Sequence, residues 1–316
     1  VLDGGVLIAL DGVWYHASET IHCDRCLHMT KEGVTTYYHS AVAGAIVRPG
    51  NTSVLPVMAE MIGNGDGEKK QDCELAAAKR WLERYGEAYR WLKPTLLGDD
   101  LYSHEPFCRQ VKEGGYSFIF TCKDTTHQWL KETVENTEKE ELRHRAWNGR
   151  YHLVYTYRWV NRVPIRDEEK AGDTFWVQYL ELCIAHEKTG KRTYYNSWIT
   201  DKVVDAGNVR WLAACGRARW KIENEHTNVL KNRGYNLEHN FGHGEKHASE
   251  NFCLLNLLAF LFHTILFEGD EEYHTARNRF GRRDGFFNAL RYTFCRFLHE
   301  NWFGFILFVW GDEPDG

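Results

Sequence analysis

The sequence predicts an α/β fold, a core of short apolar strands alternating with helices and interrupted by a β-rich insertion. Three observations carry this expectation. Short apolar runs bounded by turn residues recur through the first 124 residues, with amphipathic helical stretches between them. Residues 125–200 change character, to alternating aromatic and β-branched residues between charged turns. Helical periodicity returns after residue 200.

Taken in order, residues 6–10 form an apolar run ending in Asp11-Gly12, which predicts a buried strand closing on a turn. Residues 35–47 and 53–58 predict two more strands, parted by the turn Arg48-Pro49-Gly50-Asn51. Residues 69–92 are Ala-rich, with Leu75, Ala78, Leu82 and Tyr85 at helical spacing. Residues 95–98 predict a strand leading to Asp99-Asp100, then 105–112 a short helix and 116–122 a strand. Within the insertion, 151–160 and 175–185 predict strands. Residues 209–231 predict a helix, with Asn208 as N-cap and Gly234 closing it, and 249–267 predict a buried helix. The expected organisation is a first core part over 1–124, the insertion over 125–200, a helical second core part over 201–267, and a basic helical extension over 268–316.

Composition is that of a globular chain, 43% hydrophobic and 26% charged. The net charge of -5 does not announce a nucleic-acid binder, and its distribution says more than the total. Residues 141–166 carry six arginines and one acid, and 277–296 carry six more with Asp284 alone opposing them. Nine cysteines and no visible secretory signal predict a reducing cytoplasm. The absent initiator Met predicts that the chain is part of a longer one, and any dedicated DNA-binding domain would precede Val1. The longest apolar run, 252–267, contains Asn256 and His263 and is expected not to span a membrane.

Phosphoryl transfer with no covalent intermediate needs carboxylates that hold divalent cations. Three candidates stand on suitable elements: Asp11 and Asp99 at the ends of apolar strands, and Glu223 in an Arg-rich helix. They lie 88 and 124 residues apart, the second interval spanning the insertion. Separately they read as a turn aspartate, a helix cap and a solvated partner of Arg219. Asp100 and Glu225 are the neighbouring rivals.

The same stretches resemble the catalytic domain of DDE transposases of bacterial insertion sequences. The resemblance runs through Ile8-Ala9-Leu10-Asp11-Gly12, Ile21-His22-Cys23-Asp24-Arg25-Cys26, Lys70-Gln71-Asp72-Cys73-Glu74, Gly98-Asp99-Asp100-Leu101-Tyr102 and Arg219-Trp220-Lys221-Ile222-Glu223. It covers roughly residues 5–265. The wider family's signature is Tyr, two residues, Arg, three residues, Glu, six residues, Lys. Arg219 and Glu223 match it, Gly216 stands at the Tyr position, and Lys231 falls one residue late. The resemblance implies a ribonuclease-H-like core and a polynucleotidyl transferase that nicks transposon ends and joins them to target DNA. It implies Mg²⁺ (or Mn²⁺) held by Asp11, Asp99 and Glu223, with Arg219 and Lys231 at the DNA. A homodimer on double-stranded DNA in the bacterial cytoplasm, at the nucleoid, is the implied working form. The alternatives are a ribonuclease-H-like nuclease without strand transfer, or an inactive transposase-derived DNA-binding protein.

Two further patterns remain. Cys23 and Cys26 have the spacing of half a structural zinc (Zn²⁺) site, with His22, His28, His39 and Cys73 as candidate partners. The insertion mixes base-stacking and phosphate-binding types, including Arg145, Trp147, Arg150, Tyr151, Tyr155, Tyr157, Arg158, Trp159 and Arg162. In the related transposases a Trp of the insertion stacks on a flipped base. His243 and His247 read as loop residues because Gly242 and Gly244 flank them.

Overall fold

The structure is a computed structural model and describes residues 4–63, 72–166, 173–239, 243 and 246–311. The first half supplies β1 (Leu7–Ser18), β2 (Leu27–Lys31), β3 (Val34–Val47), β4 (Leu55–Ile62), β5 (Thr95–Gly98) and β6 (Ser117–Thr121). The second supplies β7 (Glu140–Trp147), β8 (His152–Pro164), β9 (Trp176–His186) and β10 (Arg192–Thr200). All join one sheet in the order β2-β3-β1-β5-β6-β10-β9-β8-β7, with β4 also paired to β3. The pairs β4–β3 and β3–β1 are antiparallel, and β1, β5 and β6 run parallel. β10 returns antiparallel to β6, so the insertion strands extend the core sheet.

The apolar run at the start of β1 is explained by burial on both faces, as parallel central strands require. Leu7 and Ala9 face one core, Ile8 and Leu10 the other. Helices α1 (Glu74–Tyr89), α2 (Glu105–Glu113) and α3 (Gln128–Glu135) cover the Ile8 side through Trp81, Phe107 and Leu130. Helix α4 (Val209–Arg217), a π-helical segment Ile222–Thr227, α5 (Asn228–Asn232) and α6 (Ala248–Gly269) cover the Leu7 side through Leu212, Ile222, Leu230 and Phe260. Helices α7 (Glu271–Arg279), α8 (Arg283–Arg296) and α9 (Trp302–Trp310) close a small separate core around Tyr273, Phe286 and Ile306.

Several expectations change. β1 does not turn at Asp11-Gly12, because β3 supplies ladder partners as far as Ser18, with a bulge between Trp14 and His16. Strands β2, β7 and β10 were not expected; the first two are mostly solvent-facing and lack an apolar run. The expected insertion opens with a helix, α3, which buries Leu130 and Val134. Helix α1 begins at Glu74 and gives way to a 3₁₀ turn at Arg90–Leu92, while 69–71 lie outside the described residues. Asn208 stands at the N-cap of α4 as expected but makes no side-chain capping bond; its side chain instead accepts from Asp205 N and donates to Val203 O in the preceding turn.

Helix α6 is not a buried helix. It buries Cys253, Leu257, Phe260 and Thr264 on one stripe and exposes Leu255, Phe262 and Ile265 on the other. At 22 residues it is longer than the expected apolar run and, among the described residues, is long and apolar enough to cross a membrane by length and composition.

Candidate functional site

The parallel register aligns Ala9 of β1 with Leu97 of β5, so Asp11 and Asp99 each lie two residues beyond this last pair. Alternation along β1 sends Asp11 to the same face as Leu7 and Ala9, where the helical segment 218–227 packs. Asp99 has extended backbone, and its carboxylate accepts from Leu101 N at 2.9 Å, capping the 3₁₀ turn Asp100–Tyr102. The adjacent Asp100 is committed elsewhere. Its buried carboxylate accepts from Lys123 N and Thr126 Oγ1, both at 2.5 Å, and stands 3.5 Å from His127 Nε2.

Arg219 ties the third element to the first. One guanidinium nitrogen lies 2.5 Å from Glu223 Oε1, and Nη1 lies 3.7 Å from Asp11 Oδ1. That Nη1 is buried without a hydrogen-bond partner, a donor aimed into an acidic cluster. Glu225 faces away, lining a pocket with Thr52, Tyr235, Phe260 and His263. Burial pushes the Asp11 carboxyl up to about 7 against the opposing pull of Arg219, and Glu223, Glu74 and Asp99 add to the rise. All three sequence candidates therefore share one electrostatic site.

The site also contains a residue that sequence reasoning had not singled out for a role. Glu74, the first residue of α1, accepts a 2.7 Å bond from the buried Tyr102 hydroxyl and lies against Gly12. A Cβ at position 12 would meet Glu74 Oε2 at 2.2 Å, so Gly12 makes room for a carboxylate and is not a turn glycine. Burial also raises the Glu74 pKa. The usable signal was Gly12 itself, since a glycine inside a strand marks a close approach.

Lys231 pairs with Glu238 at 2.6 Å and lines a cleft along Gly12, Trp14 and Ala17 of β1, beside Asp11. Its late position has a structural counterpart. The π segment Ile222–Thr227 bonds i to i+5, so this turn takes up one more residue than an α turn between Glu223 and Lys231.

The insertion arginines are less free than the local sequence implies. Arg145 pairs with Glu187 at 2.7 Å, Arg158 with Glu141 at 2.7 Å and Glu181 at 3.5 Å, and Arg143 with Glu141 at 2.6 Å. Two of these acids come from β9 and its following turn, outside the Arg-rich stretch. Arg150 is exposed in the β7–β8 turn, next to the exposed Trp147. Tyr157 and Trp159 are buried in the core and so cannot stack on bases.

Cys23 and Cys26 meet His39 of β3, one of the expected partners, and His243, which spacing alone does not pair with them. His22 instead stacks on Tyr37, and Cys73 immediately precedes α1. His247 pairs with Glu250, and Gly242 and Gly244 lie outside the described residues.

Residues 62–261 match the family model described as the transposase DDE domain, well over half of the chain. No curated protein matches the chain.

Proposed function

Because this chain belongs to the transposase DDE-domain family, we propose that it nicks DNA at transposon ends and joins the freed ends to target DNA, with Asp11, Asp99 and Glu223 as its carboxylates. The observation that carries this reading is the bridge from Arg219 to both Asp11 and Glu223, beside Asp99. Three residues spread over most of the chain converge on one end of the parallel strands, where open α/β sheets place their sites. The order of three antiparallel strands followed by two parallel ones supports a ribonuclease-H-like core.

The charge balance of this site suits a divalent metal. Asp11 is partly buried near Glu223, Glu74 and Asp99 with Arg219 as the cation opposing them, a balance that an additional cation would correct. Asp11, Asp99 and Glu223 would hold Mg²⁺ or Mn²⁺ through oxygen ligands. When bound, such metal activates an attacking hydroxyl and stabilises the leaving oxygen.

The chain's own groups do the rest. Arg219 holds Glu223 in place and turns its Nη1 toward Asp11, tying the two carboxylates together. Tyr102 and Gly12 seat Glu74 behind the triad, where it positions the Asp11 strand. Lys231 would meet the DNA backbone along the β1 cleft. Arg145, Arg150, Arg158 and Trp147 would extend that contact from the insertion, in a complex of two copies with paired ends in the bacterial cytoplasm.

The test is cleavage and strand transfer of duplex DNA carrying the element's own ends, with Mg²⁺ or Mn²⁺. Asp11→Asn, Asp99→Asn and Glu223→Gln should each abolish both steps while retaining DNA binding. Glu225→Gln should keep most activity. A folded Glu223→Gln that still cleaves would remove the assignment, and hydrolysis without joining would reduce the protein to a nuclease.

A further inference from the structure

We propose that Cys23, Cys26, His39 and His243 form a closed, structural zinc site that fastens the turn after β1 to β3 and to the chain beyond the Glu223 helix. The four ligand atoms all lie within 4.8 Å of one another. The separations are those that zinc imposes. Tetrahedral bonds of about 2.3 Å to sulfur and about 2.0–2.1 Å to nitrogen place two sulfurs about 3.8 Å apart and a sulfur and a nitrogen about 3.5 Å apart. Here the two sulfurs are 3.8 Å apart, and His39 Nε2 is 3.4 Å from each. His243 Nε2 is 3.6 Å from Cys26 Sγ.

The chemistry of the donors points the same way. Two thiols and two imidazoles suit zinc and not the hard cations expected at the carboxylates. Four protein ligands leave no open position, so the site is structural and holds no substrate. Disulfide formation is the competing reading of the two cysteines, but it accounts for neither imidazole. The local fold prepares the site: Cys26 N donates to Cys23 O in a tight turn that brings both sulfurs to one side. Tyr15 and His16 pack around the imidazoles, with Tyr15 stacked on His39 and His16 edge-on to His243.

The consequence is mechanical. Cys23 and Cys26 follow the strand that carries Asp11, and His243 follows the segment that carries Glu223. Zinc there would lock two of the three acidic elements together from behind. Binding displaces the two thiol protons and leaves both imidazoles neutral. This proposal stands whether or not the chain transposes DNA.

The full chain, purified without chelator, should contain about one zinc per molecule by mass spectrometry, and cobalt exchanged into it should show the strong visible bands of a tetrahedral thiolate site. Cys26→Ser should lose the metal and the bands. Because that variant risks misfolding, His243→Cys supplies the positive control. It should keep the metal and raise the thiolate-to-cobalt absorption by about half, as two thiolates become three. Asp99→Asn should keep the zinc. A wild-type chain without zinc and without tetrahedral cobalt bands would overturn the proposal. So would unchanged bands in His243→Cys, or zinc that leaves with Asp99→Asn and stays in Cys26→Ser.

Discussion

At Asp11, burial outweighs the Arg219 guanidinium, so the carboxyl holds its proton to about pH 7 in the folded chain. Unfolded, it would release that proton near its ordinary value of 3.8. Between these limits the folded state binds more protons, so the Asp11 contribution to stability is present at low pH and is lost as pH rises to about 7. Asp11→Asn removes that loss. In chelator at pH 8 it should be more stable than wild type, on the order of 1–3 kcal/mol, and the difference should vanish near pH 4. Millimolar Mg²⁺ at pH 8 should narrow the gap by stabilising the wild type alone. Denaturant melts of both proteins at the two pH values check this; parallel curves throughout would mean that Asp11 is not the strained group. The neighbouring pair separates by a different readout. Asp100→Asn should cost roughly 1.5–3 kcal/mol, because its carboxylate accepts bonds from Lys123 and Thr126. Asp99→Asn should cost little stability while abolishing cleavage. A melting temperature for Asp100→Asn equal to that of wild type would show that those bonds carry no weight.

At the scale of elements, the insertion hairpin β7–β8 has one exposed end and one committed flank. Arg150 and Trp147 sit at its turn, while Arg145 and Arg158 are held by glutamates. Replacing Arg145, Arg150 and Arg158 together should reduce the slope of log affinity against log salt by about one unit per lost phosphate contact. Arg150→Ala alone should produce a measurable part of that loss with no change in thermal melting. A slope unmoved by the triple replacement would make the hairpin a solvated edge. The hairpin also shows what was legible in the sequence. Strands β5 and β6 and helix α2 could be read to within a residue or two, because each is an apolar run or an amphipathic turn with clear boundaries. Asp11, Asp99 and Glu223 stood out as carboxylates after an apolar run, after a core strand and in an Arg-rich helix, although β1 in fact runs on past Asp11 to Ser18. The pairing of Arg158 with Glu181 could not be read, since it depends on β9 lying beside β8 in the sheet. Nor could Glu74, whose neighbours Gly12 and Tyr102 come from other elements, or His243, 217 residues from Cys26. Lys231 falls one residue late on an α-helical ruler, and the π segment takes up that extra residue.

Across the whole molecule, cohesion is uneven. The sheet is buried on both faces by two large apolar clusters that meet along β1, β5 and β6. Helices α7–α9 share a core of five buried residues, and Phe294, Phe303 and, in the α8–α9 connection, Leu298 are exposed. A segment with few buried apolar contacts opens at lower free energy than the global transition. Its attachment runs through α6, whose inner stripe belongs to the main core while Leu266 and Phe267 pack on the small one. Amide exchange should therefore separate the chain into two protection classes under native conditions. Backbone amides of β1, β5 and β6 should exchange only by global unfolding, and those of α7–α9 should exchange by local opening, at least tenfold faster. Phe286→Ala should widen that interval, since truncating a buried Phe costs about 3–5 kcal/mol and this one lies wholly within the small cluster. The same substitution should leave the protection of β1 and β5 nearly unchanged. Equal loss of protection in the sheet and in α7–α9 would mean that the C-terminal helices unfold as one unit with the catalytic core.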